Sequence, residues 1–364
     1  MPIYMDRHDV SETVTAEHVA QIHQEDLKIQ DQFGCRGLTY WFDDKRKTAF
    51  CLIEAPNAKA IQQMHKKAHG QVPNHIITVD AGIVESFLGR IHDPEKAPDT
   101  KLNIISDPAF RTIMLIDIQH ITPKNNTRQP HSSAEQINRN ISDIVTSCGE
   151  KPIWQTPCHC LVSFRSATDA VQAALDLQSE FKKTGNAKNP EARLKIALAA
   201  GVPVTDKKSI FEEAIRSAER MCEIFDAEII ISADIKDLFA TENAGGFIQP
   251  DNILSVAPEE EKFFTALMNF MEEHWTDAYL SVSQFTRPLA CSKSQLYRKM
   301  IGLIGKSPNS FLSDYRLSAA LKLLNKNEGN VSEIAFKTGF TSPSYFSKCF
   351  RKKYGYLPSD YLHT

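Results

Sequence analysis

One pattern of punctuation occurs twice in the last hundred or so residues, and it leaves few folds open to that stretch. At the first site, Ser292-Lys-Ser-Gln295 has capping-box spacing and opens a basic helix carrying Lys293, Arg298 and Lys299. At the second, Pro343 directly after Ser342 suits the first helical position, where its missing N–H costs nothing. Lys348, Arg351, Lys352 and Lys353 follow it. A short helix and a tight turn precede each basic helix: residues 283–289 before the first, and residues 331–337 with Gly339-Phe340 before the second. Helix, turn, basic helix, written twice, suits two recognition helices entering successive stretches of major groove.

The charge supports that reading. From Phe263 onward 13 Lys+Arg face 7 Asp+Glu, whereas the preceding residues hold 29 against 38. A basic tail on an acidic body points to a polyanion as partner of the tail alone. The 364 residues leave room for two or three domains. No apolar run is long enough to span a bilayer, and the start, Met-Pro-Ile-Tyr-Met-Asp, lacks the basic and apolar regions of a signal peptide. Eight scattered cysteines do not make a secreted disulfide framework, so the expectation is a reducing cytoplasm and no membrane partner.

The expected fold is multidomain: two α+β ferredoxin-like domains followed by an all-α double helix-turn-helix domain. Residues 1–92 read as strand 3–6, helix 15–33, strands 38–42 and 49–54, helix 57–68, strand 75–79 and helix 81–91. Residues 108–240 again alternate strands with amphipathic helices, starting with a buried strand over residues 112–118. Residues 263–364 form the helical tail. A polar connection over residues 92–108 and an extended, acidic connector over residues 241–262 are expected between the three.

The tail resembles the AraC-type DNA-binding domain, a seven-helix unit with two helix-turn-helix motifs joined by a long helix. The residues that carry the resemblance are Ser292-Lys-Ser-Gln-Leu-Tyr-Arg-Lys, Gly305-Lys-Ser-Pro308 and Tyr315-Arg316-Leu-Ser-Ala-Ala-Leu-Lys-Leu-Leu324. Val331-Ser-Glu-Ile-Ala335, Gly339-Phe340, Ser344-Tyr-Phe-Ser-Lys-Cys-Phe350 and Gly355-Tyr-Leu-Pro358 complete it. Leu296, Ile334, Phe346 and Phe350 occupy apolar phases and are expected to build the core of each motif. The residues expected to meet DNA are Lys293, Ser294, Tyr297, Arg298 and Lys299 in the first motif. Ser344, Tyr345, Lys348, Arg351 and Lys352 are their counterparts in the second. Lys299, Lys306, Lys352 and Lys353 are assigned to phosphate. Pro288 departs from the pattern, and a proline there shortens or kinks the first supporting helix.

Residues 109–235 resemble a class III nucleotidyl cyclase homology domain through Arg111-Thr-Ile-Met-Leu-Ile-Asp117-Ile, Ala170-Val-Gln-Ala-Ala-Leu175, Gly201-Val-Pro-Val, Ala218-Glu-Arg220-Met and Ile229-Ile-Ile-Ser232. Such cyclases hold two metal ions with two aspartates. Asp117 matches the first, but the second position reads Pro157-Cys158-His159. The transition-state asparagine falls on Arg216, while Arg220 matches the arginine beyond it. The resemblance therefore implies a degenerate scaffold, dimerisation surface or ligand sensor. Cys158, His159, Cys160 and Asp117 are a weaker metal set than buried cysteines on an apolar strand.

Seven of the twelve histidines precede residue 93. His23, Asp26 and Gln30 lie inside the apolar arc of the first helix (Ala16, Val19, Ala20, Leu27, Phe33), and His65 and His69 share the arc of Ala58, Ile61 and Ala68. Buried imidazoles and a carboxylate must be paired or bind metal, so a hydrogen-bonded core network and a site for divalent Ni, Zn, Cu or Fe both remain open. Asp6-Arg-His8, His23-Gln-Glu-Asp26, Gln30, Tyr40-Trp41, Phe50-Cys51-Leu, Ala55-Pro56, His65 and His69-Gly70 together resemble a small bacterial nickel-binding family of ferredoxin-like proteins. That resemblance alone implies nickel. His23, Asp26, His65 and His69 are the expected ligands, with His8 and Cys51 in reserve, while His18, His75 and His92 are read as surface residues.

The whole chain then reads as a cytoplasmic transcription regulator and not an enzyme. Double-stranded operator DNA is its expected partner, the homodimer forms through the N-terminal or middle domain, and RNA polymerase is a further partner. The rivals are a nucleotide cyclase or nucleotide-processing enzyme with a DNA-binding tail, and a metal store.

Overall fold

The computed structural model describes residues 1–95, 101–120, 130–188, 192–243 and 252–361. The first sheet contains β1 (Ile3–Asp9), β2 (Arg36–Asp43), β3 (Thr48–Glu54) and β4 (His75–Val79), in the order β2-β3-β1-β4 and antiparallel throughout. Helices α1 (Ala16–Ile29) and α2 (Ala58–Ala68) connect its strands. Thr15 and Asn57 cap them, each side chain accepting a backbone N–H of the first turn. β1 runs three residues beyond the stretch expected from the sequence, and that extension matters. It places Asp6 and His8 on one face and Met5 on the other.

That other face carries Trp41, Phe50 and Leu52 together with Met5. It joins a continuous buried cluster that includes α3 (Ala81–Leu88), Leu115 and Ala197 of the second sheet, and Phe264 and Leu267 of the tail. The three regions are thus bonded by one apolar core. The polar connection after α3 is docked at both of its described parts, residues 96–100 lying outside them: Asp93 donates its N–H to Leu38 O at 3.1 Å, and Tyr40 Oη donates to Asn103 O at 2.7 Å.

The second sheet holds β5 (Arg111–His120), β6 (Ile153–Thr156), β7 (His159–Phe164), β8 (Ala192–Gly201), β9 (Ile229–Ile231) and β10 (Ile253–Ser255). Its order, β10-β9-β8-β5-β7-β6, contains the first sheet's order again within β5 to β8, with β9 and β10 added in parallel at one edge. Helices α4 (Pro130–Ser147), α5 (Ala167–Lys188), α6 (Glu212–Ile224) and α7 (Ala233–Glu242) connect its strands.

Of the expected acidic connector over residues 241–262, residues 244–251 lie outside the described residues, and residues 252–262 hold regular structure. β10 pairs with β9, and α8 (Pro258–His274) begins within it. Pro258 stands in the first turn, and Glu259, Glu260 and Glu261 lie where helix N–H groups present positive charge. The acidic run is a helix start, a role that its lack of periodicity concealed.

The tail continues with α9 (Val282–Phe285), α10 (Lys293–Ile304), α11 (Pro308–Asn325), α12 (Val331–Lys337) and α13 (Pro343–Tyr354). α9 is a single turn, because Pro288 has no N–H for the Gln284 carbonyl. The second motif is more regular. Its turn needs Gly339, at φ +77°, where a Cβ would lie 2.9 Å from Trp275 O. Arg316 fastens this turn to the end of α8 by donating to Trp275 O at 2.8 Å and Asp277 O at 2.6 Å.

Candidate metal cluster and nucleic-acid interface

Helix α2 presents Ala60, Ile61, Met64 and His65 to the sheet, so His65 enters the core by the same periodicity as its apolar neighbours. Its Nδ1 lies 3.0 Å from Asp26 Oδ2 on α1, and its Nε2 lies 2.9 Å from Asp6 Oδ2 on β1. His69, the C-cap residue, brings Nε2 to 3.1 Å from His65 Nδ1 and 3.3 Å from Asp26 Oδ1. The side chains of Asp26, His65 and His69 are all at most 5 % exposed.

Three of the four expected ligands therefore converge. His23 does not join them: its Nε2 is 3.3 Å from Asp93 Oδ2, and its ring leans on Tyr40 with centroids 4.9 Å apart. The carboxylate that diverts it arrives from the connection after α3, which the helical arc of α1 cannot reveal. Asp6 was missed as a site residue, although period-two alternation along a longer β1 would have aligned it with His8. Among the expected surface histidines, His18 and His92 are exposed and His75 is half-buried.

Two descriptions of this cluster compete. In the first, burial alone would lower the His65 pKa, but its bonds to Asp26 and Asp6 overcome that and raise it to about 10. His65 is then an imidazolium clamped between two carboxylates. Burial would raise both carboxyls, yet the histidines hold Asp26 and Asp6 below the usual carboxylate range. The second description is a metal centre, and one observation favours the fit. Asp26 Oδ1 is buried without a hydrogen bond, although His69 Nε2 is only 3.3 Å away. That spacing suits two ligands about 2.0–2.2 Å from one ion. Asp26, His65 and His69 would hold such an ion, with Asp6 orienting His65 through Nε2.

In the tail, Leu296, Ile334, Phe346 and Phe350 are buried as expected. Lys293, Ser294, Tyr297, Arg298 and Lys299 are exposed, as are Ser344, Tyr345, Lys348, Arg351 and Lys352. Two lysines assigned to phosphate are engaged within the domain. Lys353 Nζ donates to Asp314 O at 2.8 Å and Ser318 Oγ at 3.0 Å, and Lys306 Nζ pairs with Asp314 Oδ2 at 2.5 Å. Both fold back on α11 because Asp314 offers a carboxylate and a carbonyl beside them.

In the middle region Asp117 Oδ1 is 2.7 Å from His159 Nε2, and Cys160 is fully buried. Arg220 binds Glu272 at 2.9 Å and Asn269 at 2.6 Å, and Arg216 also pairs with Glu272. Arg216, at the position expected for the asparagine, and Arg220 thus both hold α8.

The tail, two helix-turn-helix motifs joined by α11, is a DNA-binding domain of the AraC type. Residues 285–364 match the family model described as a helix-turn-helix domain, and residues 4–79 match one described as nickel responsive protein SCO4226-like. Over 114 residues the chain is 33% identical to histidine kinase P4 of Formosa agariphila, covering 31% of this chain and 8% of that protein. It is 33% identical over 102 residues to the uncharacterized HTH-type transcriptional regulator YidL of Escherichia coli K12, covering 28% of this chain and 33% of that protein. The chain therefore spans a third or less of the length of these relatives. The crystal structure of SCO4226 from Streptomyces coelicolor A3(2) aligns at 31% identity over 21% of this chain and 94% of that one, with a TM-score of 0.20. Among the described residues no helix is long and apolar enough to cross a membrane.

Proposed function

We propose that this chain is a metal-responsive transcription regulator. Its tail binds operator DNA, and divalent metal held by Asp26, His65 and His69 shifts that affinity. The convergence of these buried donors around the unsatisfied Asp26 Oδ1 carries the proposal. The nickel-responsive description of the N-terminal match supports the choice of metal class. The strand order common to both sheets supports reading residues 1–92 and 108–240 as ferredoxin-like, the second as a degenerate cyclase scaffold that transmits the signal.

A route for the signal is at hand. Arg7, between Asp6 and His8, donates Nη1 to Val204 O at 3.3 Å, ahead of α6, whose Arg216 and Arg220 grip Glu272 on α8. Across the tail, the 18-residue α11 contacts both α10 and α13. Its length of about 27 Å approaches the roughly 34 Å between successive major-groove faces.

Metal can act only by binding two states of the protein with different affinity. Operator DNA selected from a random library should bind metal-loaded and metal-free protein with affinities that differ by about 5- to 150-fold, the usual range of such coupling. The difference should vanish in His69→Ala. Equal affinities in the wild type would end the regulatory reading. Lys352→Ala should weaken binding alike on all sequences and reduce the salt slope by about 1, whereas Arg298→Ala should relax base preference at one position. An unchanged salt slope would remove Lys352 from the phosphate contacts.

A further inference from the structure

Beside the cluster just assigned lies another set of donors with different chemistry. Asp6 and His8 project from β1, and Cys51 stands directly opposite Asp6 on β3. All three are buried, with 1 %, 7 % and 9 % of their surfaces exposed. One ligand atom from each lies within 4.8 Å of the other two. Asp6 Oδ1 also accepts the Cys51 N–H at 3.0 Å, which fixes the carboxylate toward the thiol's strand.

The His8 Nε2 to Asp6 Oδ1 distance is 3.6 Å, too long for a hydrogen bond. It is close to the edge of a tetrahedron of ligands about 2.0–2.2 Å from a central ion. His65 takes up Asp6 Oδ2, so Oδ1 is the carboxylate oxygen left to face the His8 imidazole and the strand of Cys51.

We propose that Asp6, His8 and Cys51 form a second transition-metal position, in which Cys51 binds as a thiolate. The thiol proton leaves to solvent as the metal–sulfur bond forms, without change of oxidation state. Thiolate with imidazole and one carboxylate selects a borderline or soft ion such as zinc, nickel or cobalt over magnesium or calcium. Asp6 links the two positions: Oδ1 faces this ion while Oδ2 accepts from His65 Nε2, so each ion orients a ligand of the other. The inference extends the metal assignment of the first cluster and is independent of any effect on DNA.

Titration of metal-free, reduced full-length protein with Co²⁺ alone tests it. The expected result is two ions per chain and a near-ultraviolet thiolate-to-cobalt charge-transfer band. Cys51→Ser should lose the band and one ion, while His69→Ala should lose one ion and keep the band. His8→Gln, which retains Cys51, should also lose one ion and thereby guards against a folding defect in the serine variant. A wild type that binds Co²⁺ without the band, or a band that survives in Cys51→Ser, overturns the proposal. A normal band in protein whose operator affinity ignores metal would instead overturn the regulatory reading and leave this site standing.

Discussion

Replacing His65 with alanine is expected to destabilise the metal-free N-terminal region by about 3–5 kcal/mol, the usual result of removing one partner from a buried ionic group. The substitution leaves Asp6 and Asp26, 1 % and 4 % exposed, without the cation between them. Hydrogen exchange of the β1 and β3 amides reads the loss locally. The effect also has a pH signature. Because folding raises the His65 pKa from 6.5 to about 10, its stabilisation is complete below 6.5 and disappears as pH rises through 10. Folding lowers the Asp6 and Asp26 pKa values from 3.8, so their contribution is present above 3.8 and is lost on acidification. The gap between wild type and His65→Ala should therefore be widest between pH 3.8 and 6.5 and narrow toward pH 10. A gap that stays constant from pH 5 to 10 would show that His65 is neutral in the metal-free protein.

Phe346→Ala should be comparably severe, at about 3–5 kcal/mol, through the cavity left in the second helix-turn-helix motif. Phe346 is fully buried, with ring centroids 5.2 Å from Phe340 and 5.6 Å from Phe350. These contacts hold α13 at its angle to α12, so operator binding should fall to the level that α10 alone supports. The faster exchange should be confined to α12 and α13. Unchanged operator affinity would mean that the second motif does not engage DNA.

These two residues differ in how far the sequence announced them. Phe346 was legible because everything around it is local: Ser342-Pro343 sets the helix start, and four residues separate Phe346 from Phe350 on one face. The shortened α9 followed equally directly from Pro288. His65 was legible as a polar residue on an apolar arc, but its partners were only partly so. Asp26 shared the corresponding arc of α1. Asp6 lay at the end of a strand expected to stop there, and Asp93 sat in a connection with no periodicity at all.

The same contrast explains the basic residues. Sequence identified a surplus of lysine and arginine on the recognition helices, and ten of the expected contacts are indeed exposed. It could not tell that Lys306 and Lys353 turn back to Asp314, because that carboxylate belongs to a different helix. Likewise the acidic run Glu259 to Glu261 read as part of an extended connector, yet it forms the first turn of α8, which Pro258 begins.

Caps, prolines, glycine turns and hydrophobic periods act over a few residues, so the sequence by itself determined the alternation of elements, the buried faces and the duplicated helix-turn-helix. Only the tertiary structure decided which polar groups meet. A carboxylate and an imidazole 59 positions apart, as Asp6 and His65 are, interact through the packing of a helix on a sheet. Their few ångströms of separation are set by that packing geometry, which leaves no local pattern in the chain.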